Sequence, residues 1–481
     1  MPAGPPPGTL HVVTGRYHLV TLGCPKNAVD SDKIATALGA DGLAPTDDVA
    51  AADVVVVNTC AFIEEARRES IDTILALADE RAAGARLVVT GCLAERYGDE
   101  LADALPEVDA VVGFAGAGSI ATLPAPIGTN ATNATNVTFG GRHAAVPAPT
   151  GVRDLLELPR AATGASWAYL KVAEGCDRAC AFCAIPSFRG TQRSRAPEAI
   201  VAEARTLVEG GTAELVLVAQ DLAWYGRDAG EVGALAALLR RLDTELGADG
   251  LERVRLLYLY PSEVRDPLIA TMLDLPTVVP YFDLSLQHAS GPLLRRMARW
   301  GDGARFAAAI DDIRSREPAV AFRSSFIVGF PGETETDHDA LLTFLDDVAL
   351  DWAGFFPFSP EDGTAAADLD GTVAPGLAAE RLRECEERQT AITQAARDEI
   401  VAAGTVLEVL VDEVVDGTDG GVRLVGRTHR EAPEIDGVVL VDVTDAAPAG
   451  SVGWAGSVGT VVRARAEGAL GPDLLAVVVG A

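Results

Sequence analysis

The sequence predicts an α/β protein with three parts: an N-terminal open parallel α/β sheet domain, a central partial (β/α)6 barrel, and a small C-terminal antiparallel β-barrel. Three observations predict this. Apolar runs of strand length alternate with helical patterns through two successive stretches of chain, the signature of parallel sheets covered by helices. Several of those strands end in chemically loaded residues, as in folds whose ligands gather at the carboxyl edge of the sheet. The last stretch loses the alternation and breaks into short strands.

Residues 1–15 are rich in Pro and Gly and lack the basic and apolar regions of a signal peptide, so a disordered tail is expected. The first domain, 16–122, has strands at His18–Leu22, Asp53–Val57, Leu87–Thr90 and Ala110–Gly113, with helices at Ser31–Leu38 and Ile63–Asp79. Three of these strands run into a cysteine: Cys24, Cys60 and Cys92. One cysteine at a strand end is most often a buried small hydrophobe. Three at equivalent positions, two of them preceded by Gly23 and Gly91, predict a set of thiolates converging on one cofactor. Residues 123–161 change composition and read as a linker. The three N-x-T sequons of Asn130 to Thr138 read as accidental, since no secretion signal accompanies them.

The second domain, 162–395, repeats strand then helix six times. Strands are expected at Trp167–Val172, Glu214–Ala219, Arg253–Leu259, Phe282–Leu286, Arg323–Val328 and Trp352–Phe358. Helices are expected at Pro197–Glu209, Val232–Leu246, Glu263–Leu273, Pro292–Ile313 and Glu335–Val348. Sites in such barrels lie at the carboxyl ends of strands. There the chain carries Cys176, Cys180 and Cys183, then Gln220-Asp221, Gln287-His288 and the run Gly329 to Glu333. Thiolates hold zinc or iron-sulfur clusters, and a closed zinc site needs a fourth ligand. The nearest histidines along the chain, His143 and His288, are far away. Three cysteines on a four-iron cluster leave one iron open to a small molecule, whereas ordinary electron carriers use four. A reduced structural trio or a zinc ribbon stands as the alternative. For His288 a strand-end turn is the default reading, with metal or acid-base duty as the lesser one. The gap in an incomplete barrel would admit a macromolecular side chain. A helix at Ala379–Ala402 carries Cys385 among Glu384, Glu386 and Glu387, neighbours that raise a thiol's pKa, and it is assigned no role.

The last domain, 396–470, shows strands at Val406–Asp412, Gly421–Arg427, Gly437–Val443 and Gly456–Arg465. From Val401 to Leu470 it has eleven Asp or Glu against five Lys or Arg. Oligonucleotide-binding barrels use positive grooves and stacking aromatics, and this one offers only Trp454. The whole chain carries a net charge of -31, which repels phosphate backbones and attracts a basic partner, although a generally acidic proteome gives the same charge. Seven cysteines without a disulfide framework suit a reducing compartment. No apolar run reaches membrane-spanning length. A cytoplasmic, monomeric protein with no membrane contact is expected.

The run Cys176-x3-Cys180-x2-Cys183, with Phe182 inside it, resembles the signature of the radical S-adenosylmethionine (SAM) superfamily. The resemblance implies a 4Fe-4S cluster whose open iron chelates SAM and cleaves it to a radical. It places Phe182 near the adenine, with Ile327 and Gly329 flanking it. The C-terminal barrel resembles the TRAM domain. Two three-cysteine sets, the first on a small α/β domain, resemble the methylthiotransferase family. That resemblance implies a second 4Fe-4S cluster on Cys24, Cys60 and Cys92, and conversion of C–H to C–S–CH3 with two SAM and a flavodoxin or ferredoxin reductant. Thr21 to Asn27 with Val29 to Ser31, Ala184 to Gly190, Val218 to Asp221 with Tyr225-Gly226, and Gly426 to Thr428 with Ala432 to Gly437 resemble one branch of it. That branch acts on an aspartate of ribosomal protein S-twelve (uS12). The branch that modifies an isopentenylated tRNA adenosine is the alternative, disfavoured by the acidic barrel, so tRNA is not the expected substrate. A non-catalytic iron-sulfur carrier or RNA-binding adaptor of the same fold is the third reading.

Overall fold

The computed structural model describes residues 15–122, 154–416, 421–443 and 456–479. They fall into two compact units, one made of residues up to 161 together with 187–189, the other of 162–186 and 190 onward. The expected tail up to residue 14, the sequons of the linker and Trp454 lie outside the described residues; Gly15, expected in the tail, is the first residue of a strand.

In the first unit the elements are β1 (Gly15–Thr21), α1 (Pro25–Ala40), β2 (Leu43–Pro45), β3 (Val54–Thr59), α2 (Glu64–Glu80), β4 (Arg86–Gly91), α3 (Cys92–Ala104) and β5 (Ala110–Val111). The strands form one parallel sheet in the order β2-β1-β3-β4-β5. Every residue of β3 is buried, as a central strand covered on both faces requires. Strand order reverses between β1 and β3, and such a reversal opens the crevice where sheets of this kind bind ligands. Cys24 follows β1 and Cys60 follows β3. Two elements were not expected from the pattern. Strand β2 has three residues, too few to show an alternation, and α3 starts on Cys92 itself, with Gly91 at φ 92° in place of a polar cap.

The second unit opens with β6 (Trp167–Lys171) and a short ribbon of β7 (Ala173–Glu174) paired with β8 (Arg193–Ser194), between which the chain carries α4 (Ile185–Arg189). Then follow α5 (Pro197–Glu209), β9 (Glu214–Val218), α6 (Ala234–Leu246), β10 (Arg253–Leu256), α7 (Asp266–Asp274) and β11 (Tyr281–Gln287). After these come α8 (Gly291–Arg296), α9 (Gly303–Arg316), β12 (Ala321–Val328), α10 (Glu335–Val348), β13 (Trp352–Pro357) and the long α11 (Pro375–Ala402). Six parallel strands stand as two sheets, β6-β9-β10 and β11-β12-β13, joined by a single bridge between Leu259 and Leu284. Strands β6 and β13 are not paired with each other, so the barrel is open, as predicted. Helix starts are explicit: Thr334 and Asp337 form a reciprocal cap on α10, and the Asp302 carboxylate accepts from Arg305 N at 3.0 Å on α9.

One expected helix is two. The pattern over Pro292–Ile313 is broken at 297–302, where Ala298 (φ 54°) and Gly301 (φ 108°) are left-handed. Apolar periodicity resumes after the break, which hides it from the sequence. The carbonyl of Met297 there accepts from Ala181 N at 2.9 Å, inside the thiol loop.

The C-terminal strands β14 (Val406–Asp416), β15 (Val422–Arg427), β16 (Val439–Val443), β17 (Val461–Leu470) and β18 (Asp473–Val478) make a closed barrel in the order β14-β15-β16-β18-β17. Four antiparallel strands ending by residue 470 were expected; β18, beyond that end, is a fifth, and it closes the barrel by pairing antiparallel with β17 but parallel with β16, so the barrel is not wholly antiparallel. The barrel packs on the parallel strands of its own unit through buried charge. Glu214 of β9 accepts from Arg255 at 2.7 Å and from Arg427 of β15 at 2.8 Å, all three within 2 % of full burial. Among the described residues no helix is long and apolar enough to cross a membrane.

Candidate cluster and cofactor sites

The crevice at the end of β1 and β3 is built by asparagine and glycine. Asn27 Nδ2 donates to the carbonyls of Leu22 and Thr59 at 2.9 Å each, tying the ends of the two strands together. Asn58 Nδ2 returns 2.9 Å bonds to the Asn27 carbonyl and to Ser31. A Cβ on Gly23 would lie 2.9 Å from Cys60 Sγ, and one on Gly91 would lie 2.3 Å from Asn58 Oδ1. These are the two positions where absence of a side chain lets the strand ends close up. Cys92 Sγ is 3.6 Å from Asn27 Oδ1, and the Asn27 amide is bonded to the Cys24 carbonyl. Asn27 thus meets the Cys92 sulfur, the Cys24 backbone and the Thr59 carbonyl beside Cys60. Burial opposes ionisation of Cys24, but Lys26, Arg189 and two backbone N–H groups overcome it and lower its pKa. Burial raises that of Cys60 and pushes Cys92 up to about 12.

The second set lies in the loop after β6. Gly175 (φ 80°) has no room for a Cβ, which would fall 2.1 Å from the Thr191 carbonyl, so the loop is pressed against the return strand. Cys176 N bonds the Gly190 carbonyl at 3.1 Å, and Cys176 Sγ accepts from Arg178 N at 3.4 Å. Arg299, from the break between α8 and α9, reaches Cys180 Sγ at 3.4 Å. Burial pushes Cys176 up to about 11 and Cys183 to about 12. Among the described residues no group of three His, Cys, Asp or Glu is placed to hold a single metal ion. Thiolates around a multi-iron cluster stand further apart than those around one ion, and both sets offer soft donors only, without a carboxylate or imidazole among them. In chemistry and in number they fit such clusters.

Phe182 is half-buried against the central core, as is Ile327 near the end of β12. Gly329 follows β12 at φ 79°, where a Cβ would meet Ala378 at 2.8 Å. Its N–H and that of Phe330 both donate to Glu333, a carboxyl raised by burial and held by Arg381 at 3.2 Å. His288 is fully buried, its Nδ1 accepting from Ser290 N at 3.0 Å, and burial lowers its pKa to about 3. Burial thus favours the neutral imidazole at this strand-end turn. Cys385 is completely buried and pushed to about 12, first by burial and then by Glu333 and its acidic neighbours.

Sequence reasoning missed the cationic surroundings of the thiols. Arg178 lies over Tyr260 at 4.0 Å and over Trp224 at 4.3 Å, and pairs with Asp221 at 2.7 Å. Arg299 lies over Tyr260 at 4.0 Å. In the first unit Arg189 sits 3.0 Å from Cys92 Sγ. Arg178 and Arg189 stood inside the quoted motifs, but nothing in the spacing says that they face sulfur.

Three family models match the chain: Uncharacterized protein family UPF0004 over residues 16–113, the Radical SAM superfamily over 170–345 and the TRAM domain over 403–479. Among solved structures, the radical S-adenosylmethionine methyltransferase TsrM from Kitasatospora setae superposes with a TM-score of 0.50 at 15% identity, covering 74% of this chain and 77% of that one. At that identity the likeness speaks for the fold alone. The ribosomal protein uS12 methylthiotransferase RimO of Kineococcus radiotolerans is 43% identical over 480 residues, 95% of this chain and 96% of the relative. The protein of the same name from Moorella thermoacetica is 46% identical over 439 residues, 91% and 95% of the two chains. With such identity over nearly its whole length, and the same three domains in order, the chain belongs to the RimO family of ribosomal protein uS12 methylthiotransferases.

Proposed function

We propose that the chain methylthiolates the β-carbon of an aspartate in uS12, as a cytoplasmic monomer that takes electrons from a flavodoxin or ferredoxin. Near-full-length identity to uS12 methylthiotransferases carries this reading. Cys24, Cys60 and Cys92 would hold one 4Fe-4S cluster, and Cys176, Cys180 and Cys183 the other. Phe182, Ile327 and Gly329 would line the SAM adenine. Loaded in this way, the cofactors supply radical hydrogen abstraction, a sulfur atom and a methyl group. The protein's own part is to position and to exclude. Arg299 and the Arg178 N–H fix the sulfurs of the second set, and Arg178 is itself held by Asp221. The Gly329 loop, braced by Glu333, keeps its backbone in one conformation for a ligand. The unpaired edges of β6 and β13 leave a side on which a protein loop could enter.

The test is mass spectrometry of uS12 and of bulk tRNA nucleosides from cells lacking this chain, complemented with the wild type or with Cys176, Cys180 and Cys183 all replaced by Ala. The expected result is a methylthio mass on the uS12 aspartate that only the wild type restores, with tRNA unchanged. Loss of a methylthio group from tRNA with uS12 intact would replace this reading with the tRNA one.

A further inference from the structure

We propose that Arg189 is a positioning residue for the N-terminal cluster: its guanidinium donates to the Cys92 sulfur and raises the reduction potential of whatever iron-sulfur group the three thiolates hold. The inference rests on the reading that Cys24, Cys60 and Cys92 bind such a cluster. Arg189 is the sixth residue after Cys183, and residues 187–189 pack as part of the N-terminal unit. Its Nη2 is 3.0 Å from Cys92 Sγ and 2.6 Å from Asn27 Oδ1, the oxygen that Cys92 Sγ also faces. The guanidinium lies 4.6 Å over the Phe114 ring, which fixes its plane. Its Nη1 is 3.5 Å from Asp30 Oδ2, and the two side chains are 3% and 1% exposed.

A cation this deep is costly unless its surroundings use it. Asp30 offsets part of the cost through the far nitrogen, Nη1. The nearer nitrogen faces Cys92. Arg189 also acts electrostatically on Cys24 and Cys60, so its charge is felt across the whole set. One-electron reduction of a cluster adds one negative charge, delocalised onto its sulfurs. A fixed cation and an N–H···S bond stabilise that form more than the oxidised one, and both are recognised determinants of cluster potential. Asp30 works against Arg189. The pair therefore makes two predictions of opposite sign from adjacent residues, which loosened packing would not produce.

The measurement is an EPR-monitored redox titration of the full chain in which Cys176, Cys180 and Cys183 are Ala, reconstituted with iron and sulfide so that the N-terminal cluster alone reports. Arg189→Gln should move the midpoint negative by about tenfold in the reduced-to-oxidised ratio, the weight of a charged hydrogen bond, or about 59 mV for one electron. Asp30→Asn should move it positive, and Arg189→Lys should fall between Arg and Gln. Iron content is assayed for each. Unchanged midpoints at full iron content, or shifts of the same sign in both variants, would overturn the proposal. If Arg189→Gln fails to hold iron, Asp30→Asn decides: a positive shift upholds the proposal and any other result ends it. Should the parent with three Ala bind no iron at all, the cluster reading of Cys24, Cys60 and Cys92 falls, and this proposal with it.

Discussion

Gly23 shows how much the N-terminal thiol set depends on one missing atom. Its φ of 94° is a conformation that only glycine adopts without strain, and a Cβ would press to 2.7 Å of Cys60 Cβ and 2.9 Å of Cys60 Sγ. Gly23→Ala adds a left-handed penalty of about 1–3 kcal/mol on top of a collision with a proposed ligand. The collision is the worse of the two, because the Cys60 carbonyl and amide are already fixed by Ser70 at 3.0 and 3.2 Å and leave the side chain little room to retreat. Purified Gly23→Ala, reconstituted with iron, should hold about half the wild-type iron, since one of two equal clusters is lost, and should still convert SAM to 5′-deoxyadenosine. Full iron content in this variant would show that the site at β1 and β3 is not where the second cluster sits.

At the scale of elements, the joint between β9, β10 and β15 is held by charge. Glu214 is fully buried; burial would raise its pKa, yet Arg255, Arg427 and Arg253 bring it down to about 2 from an ordinary 4.5. A carboxylate with a depressed folded pKa stabilises fully above its unfolded value and loses that contribution as pH falls through the folded one. Acid sensitivity from this group therefore lies between about pH 4.5 and pH 2. Glu214→Gln should lower the urea midpoint of the apo-protein at pH 7, because it leaves Arg255 and Arg427 buried without their charge partner. The gap between variant and wild type should narrow as the pH is lowered through that window, and a gap that stayed constant would mean that Glu214 acts by shape rather than charge. None of this joint was legible beforehand. Charged residues on strands read as exposed, and Arg253, Arg255 and Glu214 are buried only because β15 and its neighbours supply partners some 170 to 210 residues further along. What was legible were the elements whose signal is local: the parallel strands from their apolar runs, α5 and α10 to the residue, and six thiols at strand ends. The break between α8 and α9 was not read, although Gly301 and the Asp302 cap signal it locally, because the apolar periodicity resumes on its far side. Arg189, Arg178 and Arg299 were missed for the reason that hid the charged joint: distance along the chain conceals what burial brings together.

Over the whole molecule the strongest bias is electrostatic. The chain carries 70 acidic and 39 basic side chains. Of the five basic residues of the C-terminal barrel, four are committed internally: Arg427 to Glu214, Arg430 to Asp351, Arg423 to Asp442 and Arg465 to Glu467. Few cations are left there to neutralise phosphates, which is what RNA binding by such a barrel would need. A basic protein substrate would instead be steered toward the surface by its field, and steering acts chiefly on encounter. Screening shortens its reach to about 8 Å at physiological ionic strength, so the effect should be lost with salt while the chemistry is not. Steady-state assays with uS12 should therefore show KM rising by about tenfold between low salt and about 0.3 M potassium chloride, with kcat unchanged. Added tRNA should not compete. A KM indifferent to salt would mean that uS12 is held by apolar and hydrogen-bonded contacts alone, and that the acidic surface reflects solubility rather than recognition.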